Sequence, residues 1–399
     1  KFSAYLRLDV RKRRQLLKLV FIFKQVFSLF LLYILIGFIV HLLVRHYFKK
    51  KNFVDAPDGI KKKHKIAVPI SGGLSFGICW TIFFLCTYLI LFYELGDILG
   101  ISFPRDGDPS RFAFPVYALL SFLSLVLLSI CLIDDLVDLP VWVRLFAQIS
   151  CTVLMIEIGG MNLLNLGPLF GFEDIVLSYY LGFLFTIFCV VGITNAFNWI
   201  DGIDGFFSFQ VILACIGISI LSNSFSLALM AFLCALAPYT IMNLGLMGKK
   251  FKVFIGDHGA MMIGFFIACN FVLVTQDPYD VREVEVRPVD TLWCVGLVLL
   301  NALRVIWIRI KKKLSIFNSD RQHIHHYYLD LGYSSNMTLA IVCSISLAIS
   351  SLGGIIYFLG LPEWFSLMTF ISILFFWAFL SRLSSSVSKS SQESLQSSK

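Results

Sequence analysis

The chain has 399 residues, 58% of them hydrophobic and only 15% charged, with a mean hydropathy of +0.83. A soluble domain is about 45–50% apolar and about 25% charged, so composition excludes a soluble fold and indicates an all-α polytopic membrane protein. The net charge of +8 then bears on topology across a lipid bilayer, and no nucleic-acid partner is expected.

In chain order, residues 1–18 form a basic tail (Arg7, Arg11, Lys12, Arg13, Arg14, Lys18) suited to solvent or lipid headgroups. The chain opens on Lys1 rather than Met, as one lacking its native start would. It shows no cleavable signal peptide. Eleven apolar stretches follow, at about 20–44, 69–93, 114–133, 142–159, 176–195, 206–222, 226–247, 259–275, 290–309, 338–359 and 364–381. A spanning helix needs roughly 20 such residues. One membrane-embedded domain over 19–382 is expected, then a disordered Ser-rich tail over 383–399. The ten cysteines are scattered through apolar runs without a CxxC, which reads as small buried hydrophobes. His41 and Glu157, near the ends of the first and fourth spans, read as interfacial.

Lysine-rich loops follow the first, seventh and ninth spans (Lys49–Lys51 and Lys61–Lys65; Lys249–Lys252; Arg309–Lys313). Loops 94–113 and 276–289 are acidic or balanced. The positive-inside rule makes the basic side cytoplasmic. The N-terminus then lies outside, with its basic tail against the rule. The same side carries every cluster of polar chemistry. Asp134, Asp135 and Asp138 end one apolar run; carboxylates at a helix C-terminus oppose its dipole and call for a compensating positive charge. Asn195, Asn198, Asp201 and Asp204 recur every three residues, the spacing of one helical face. Asp257 sits between Gly256 and Gly259. Such oxygen-rich sets suit Mg²⁺ or Mn²⁺ with substrate phosphates, and the flanking glycines permit close approach of backbone to a phosphate. The loop 318–332 gathers Arg321, His323, His325 and His326. It is better suited to a phosphate or sugar than to Zn²⁺, since it lacks cysteine partners. Lys62 and His64, in the loop 55–73, add positive charge for an anionic substrate.

Five motifs together carry a resemblance: DxPDG…KKxH…VPxxGG at 55–73, IDDLVDLP at 133–140, NAFNWIDGIDG at 195–205, KVFIGDHG at 252–259 and DRQHIHH at 320–326. The chain resembles the polyprenyl-phosphate N-acetylhexosamine-1-phosphate transferases, the superfamily of WecA, TagO and MraY, and is most like the WecA branch, over about 27–354. The resemblance implies a multi-pass enzyme of the bacterial inner membrane, its active site cytoplasmic. Its reaction transfers N-acetylglucosamine-1-phosphate from UDP-N-acetylglucosamine to undecaprenyl phosphate, releasing UMP and starting an envelope glycan. It also implies Mg²⁺ or Mn²⁺, with Asp257, Asp134 and Asp201 as ligands. Asp134 and Asp135 would orient or deprotonate the lipid phosphate. Lys62, His64, Asn198, Asp201, Asp204, Arg321, His323, His325 and His326 would hold nucleotide, sugar and diphosphate. Another UDP-N-acetylhexosamine is the alternative donor. Dimers occur among relatives, though no interface motif marks one here. Several positions depart from the family pattern: the first loop has lysines at 61–63 for Arg-Lys and is one residue longer, His258 stands for a small residue, Ala260 for Ser, and Leu299-Leu300-Asn301 stands where a Pro and an Asp are usual. A non-catalytic lipid binder or transporter on the same scaffold is the rival reading. It predicts acidic residues along a route through the bilayer and repeated broken helices.

Overall fold

The computed structural model describes residues 2–56, 67–92, 110–223, 226–276, 286–313, 315 and 323–377. Helices dominate, as composition requires: α1 (Phe2–Lys50), α2 (Gly72–Phe92), α3 (Ser110–Val137), α4 (Val141–Gly159), α5 (Tyr179–Asn198), α6 (Phe206–Leu221), α7 (Leu227–Asn243), α8 (Gly256–Gln276), α9 (Pro288–Cys294), α10 (Gly296–Lys311), α11 (Ile324–Asp330) and α12 (Ser335–Phe358), with α13 at Glu363–Trp377. Two short strands, β1 (Val54–Asp55) and β2 (Val68–Pro69), pair antiparallel with Val54 opposite Pro69.

Ten of the eleven expected spans fall on one helix each, 364–381 as far as residue 377 is described, and 290–309 falls on two; the helices differ in reach. Seven are long and apolar enough to cross a bilayer, or eight if the bent pair α9–α10 is one span, while α6, α7 and α13 are shorter apolar helices. Large apolar side chains cover the outside, including Leu35, Ile39 and Leu43 on α1 and Tyr180, Leu184 and Phe188 on α5. Water would not tolerate that coat and lipid would. The protein is an integral membrane protein.

The basic stretch 2–18 is continuous with the first span in one helix, α1. The expected span 290–309 is instead broken, with α9 and α10 meeting at 85°. Val295 leaves helical geometry at φ −125°, ψ 25°. Gly296 follows, and a Cβ there would lie 2.5 Å from Ile349 Cγ2 on α12. The bare backbone lets α12 pack into the elbow. One broken helix among the described residues is not the repeat that a transporter reading predicts.

Packing divides the chain into two compact units, Lys1–Pro140 with Ser224–Met262, and Val141–Asn223 with Ile263–Lys399. In the first, α1 packs on α2 and α7, and α2 on α3 and α7. Tyr33 stacks on Phe83 at 4.4 Å, and Trp80 meets Phe232 edge-on at 5.2 Å. Gly37 lets Pro238 approach, since a Cβ would come within 2.8 Å of its Cγ. His41, expected at the interface, is fully buried; it lies one turn beyond Gly37 on the α1 stripe that meets α2 and α7, so tight packing rather than headgroup depth sets its surroundings. In the second unit, α4 packs on α5, and α12 on α6, α9, α10 and α11. Glu157 is held by the Tyr179 hydroxyl at 2.8 Å. All ten cysteines are free thiols and most are buried.

Candidate functional site

In the first unit, two turns far apart in sequence are laced together. The segment Ser71-Gly72-Gly73 opens α2, and Phe254-Ile255-Gly256-Asp257 opens α8. Gly72 N–H donates to Phe254 O at 2.8 Å, Gly73 N–H to Ile255 O at 2.9 Å, and Phe254 N–H to Pro69 O at 3.0 Å. These bonds satisfy backbone groups that helix starts leave open. Gly73 and Gly259 face each other with no side chain between them; a Cβ on Gly73 would lie 2.6 Å from Gly259 N. The approach to Asp257 is braced from outside by Arg45, whose guanidinium donates to the carbonyls of Lys252 and Lys250, and by Asn243 Nδ2 donating to Val253 O at 3.1 Å. Asp257 thus stands in the first turn of α8, where the helix dipole favours a carboxylate.

Asp134 and Asp135 close α3. Asp134 is buried, and its Oδ1 accepts the Leu139 N–H at 2.8 Å while its carbonyl accepts Asp138 N–H at 2.8 Å. The Leu139 N–H supplies part of the compensation that a carboxylate at a helix C-terminus needs. Asp138 is exposed and takes the left-handed turn position at φ 56°, so it shapes the exit from α3. Asp135 Oδ2 lies 2.6 Å from His258 Nδ1. Asp134, Asp135 and Asp257 therefore share one unit, and Asp135 is joined directly to the residue after Asp257.

The second unit carries the amide and histidine motifs. The expected helical stripe from Asn195 to Asp204 does not form. The α5 helix ends at Asn198, and residues 199–205 make consecutive turns. Gly202 and Gly205 break the helix: Gly202 N–H bonds back to Ile200 O at 2.9 Å, and Gly205 sits at φ 81°. Residue spacing alone overrode these glycine signals. Asn195 joins α5 to α4 through Gln148 Oε1 at 2.7 Å. Asn198 is helical, while Asp201 and Asp204 stand on the turns, half-buried. A Cβ on Gly202 would overlap the His325 ring, so Gly202 is what lets the aspartate turn and the histidine motif meet.

The imidazoles gather at the start of α11. His325 and His326 lie 4.2 Å apart between ring centroids, and His323 stacks on His325 at 5.7 Å and 12°. His326 is tilted by 54° to His325 and by 45° to His323. Among the described residues no three His, Cys, Asp or Glu side chains form a ready-made metal cage. Asn301 on α10 anchors the motif: its Oδ1 accepts Ile324 N–H at 3.0 Å and its Nδ2 lies 3.3 Å from His323 Nδ1. Trp199 lies 6.5 Å from His323, with the buried Arg309 guanidinium 5.2 Å over its ring. Sequence reasoning noted Arg309 only as a topology charge and missed Trp199. Lys62, His64 and Arg321 lie outside the described residues.

The fold and its polar turns define a polytopic membrane protein with carboxylate- and histidine-bearing turns. Comparison with known proteins gives the particular family. The model of glycosyl transferase family 4 matches residues 117–275. The undecaprenyl-phosphate alpha-N-acetylglucosaminyl 1-phosphate transferase of Escherichia coli K12 is 31% identical over 339 residues, 83% of this chain and 84% of its own. The proteins of that name from Yersinia pestis and Pasteurella multocida are 29% and 31% identical, covering 82% and 90% of their own chains. The chain belongs to this family of undecaprenyl-phosphate sugar-1-phosphate transferases.

Proposed function

We propose that the protein transfers N-acetylglucosamine-1-phosphate from UDP-N-acetylglucosamine to undecaprenyl phosphate in the bacterial inner membrane, with its polar turns on the cytoplasmic side. The support is the likeness to relatives of that name over more than four fifths of the chain, together with the laced turns that hold Asp134, Asp135 and Asp257 in one unit. A lipid phosphate oxygen attacks the sugar-linked phosphorus of the donor. A new P–O bond forms there as the bond to the UMP oxygen breaks, and UMP leaves with the electron pair. Undecaprenyl-diphospho-N-acetylglucosamine is the product and the first lipid-linked unit of an envelope glycan.

The reactants are all anionic, so positioning and charge neutralisation carry most of the catalysis. Asp134 and Asp257 offer hard oxygen donors, and Mg²⁺ takes one or two carboxylates plus substrate phosphates rather than an all-protein cage, so the donor set fits Mg²⁺ or Mn²⁺. When bound, such an ion neutralises charge building on the diphosphate. Asp135 orients the lipid phosphate; deprotonating it is a small task, since a phosphate monoester is mostly ionised near pH 7. Asn198, Asp201 and Asp204 hold the nucleotide, and His323, His325 and His326 hold the sugar or diphosphate. Lys62, His64 and Arg321 add positive charge to the substrate anions.

Purified protein with undecaprenyl phosphate, Mg²⁺ and a panel of UDP-sugars should release UMP with UDP-N-acetylglucosamine. Release with a different N-acetylhexosamine alone would keep the class and replace the donor. No release with any donor, from protein that still binds the lipid, would refute catalysis.

A further inference from the structure

We infer that His258 is a positioning residue that locks the carboxylate of Asp135 in one orientation for the transfer, an inference that rests on the role given to Asp135 above. His258 is fully buried in the first turn of α8. Both of its ring nitrogens are engaged. Nε2 lies 3.2 Å from the backbone N–H of Leu74, and Nδ1 lies 2.6 Å from Asp135 Oδ2. An amide N–H can only donate, so Nε2 accepts. A neutral imidazole has one donor and one acceptor nitrogen, so the ring proton sits on Nδ1 and is donated to Asp135. The His258 backbone N–H points at the same Oδ2 from 3.4 Å. One carboxylate oxygen is thus held by a single residue, and Oδ1 keeps its capacity for a ligand.

The ring has no room to turn. A Cβ on Gly73 would lie 2.6 Å from His258 Cδ2, and one on Gly256 would lie 2.6 Å from its Nδ1. Gly256 stands at φ 73°, open to glycine and strained for other residues. Two segments distant in sequence therefore fix one side chain: the start of α2 through Leu74 and Gly73, and the end of α3 through Asp135, with Gly256 of its own turn beside the ring. A carboxylate whose rotamer is frozen before substrate arrives is pre-organised. Loss of hydrogen bonds that orient a functional carboxylate costs about 10–100-fold in activity.

The test uses the full chain in detergent with undecaprenyl phosphate, Mg²⁺ and UDP-N-acetylglucosamine, reading UMP release and melting temperature for His258→Phe, His258→Asn and Asp135→Asn. Phenylalanine fills the ring volume without donating. His258→Phe also takes the acceptor from the Leu74 N–H, so it should melt lower than wild type; in the folded protein the KM for the UDP-sugar should hold while kcat falls about 10–100-fold. Asparagine places an amide donor near the Nδ1 position, and His258→Asn should recover kcat to within about threefold of wild type. Wild-type kcat in folded His258→Phe overturns the inference, as does a His258→Asn variant as slow as His258→Phe. If Asp135→Asn turns over like wild type, the role of Asp135 fails instead, which separates the two outcomes. Should the phenylalanine variant not fold, ¹⁵N-histidine NMR of the wild-type protein decides: a proton on Nδ1 of His258 supports the inference and one on Nε2 refutes it.

Discussion

Replacing Gly73 by alanine should detach the opening of α2 from the turn that carries Asp257. The added Cβ would overlap Gly259 Cα and lie 2.6 Å from both Gly259 N and His258 Cδ2. Two of these three atoms are backbone, in the first turn of a helix buried along nearly its whole length, so they cannot swing aside. The turn must move, which stretches Gly72 N–H to Phe254 O (2.8 Å), Gly73 N–H to Ile255 O (2.9 Å) and Leu74 N–H to His258 Nε2 (3.2 Å). Each such bond contributes about 1 kcal/mol net, and the overpacking itself costs about 1–3 kcal/mol. The sum is about 4–6 kcal/mol, a large fraction of the roughly 5–15 kcal/mol that holds a typical fold together. Gly192→Ala on α5 is the control, because a Cβ there meets nothing within 4 Å. Thermal unfolding in detergent, followed by UMP release from whatever remains folded, reads both effects. Gly73→Ala with the melting temperature and turnover of Gly192→Ala would refute the reasoning, since it would mean that the two turns do not touch.

Asp257→Asn should abolish metal-dependent UMP release while leaving undecaprenyl-phosphate binding intact; a variant that still turns over would remove Asp257 from the chemistry. Gly202→Ala should drive the His325 ring off the Asp201 turn and raise the KM for the UDP-sugar at least about tenfold, the equivalent of one lost charge-assisted contact of about 1.5 kcal/mol. An unchanged KM would show that the turn and the histidine motif act independently. Asn301→Leu keeps the volume but leaves the Ile324 N–H without its acceptor, costing about 1–3 kcal/mol. A melting temperature equal to wild type would show that Asn301 does not anchor α11.

Part of this arrangement was legible residue by residue. Helix identity follows from local properties, since an apolar run of about 20 residues calls for a helix, and the expected stretches fell on helices, of which seven or eight are long enough to span. The glycines at 202 and 205 that end α5 were also local signals; the three-residue spacing of Asn198, Asp201 and Asp204 outweighed them, and the turns show that it should not have. The break at Val295 had only Gly296 as a local sign, and the 85° angle goes with Ile349 of another helix packing against that bare backbone. His258 and Asn301 were visible as unusual residues, but what each binds was not.

By itself, then, the sequence determined that this protein is helical and built for a bilayer, and which short polar motifs interrupt its apolar runs, because hydropathy and turn chemistry act over neighbouring residues. Only the tertiary structure decided which interruptions meet. Leu74 and His258 are 184 positions apart and Asp135 and His258 are 123 apart. Their contact depends on bare glycine backbones at 73, 256 and 259 fitting together as helices pack, and shape complementarity between distant surfaces leaves no periodic trace in a linear chain.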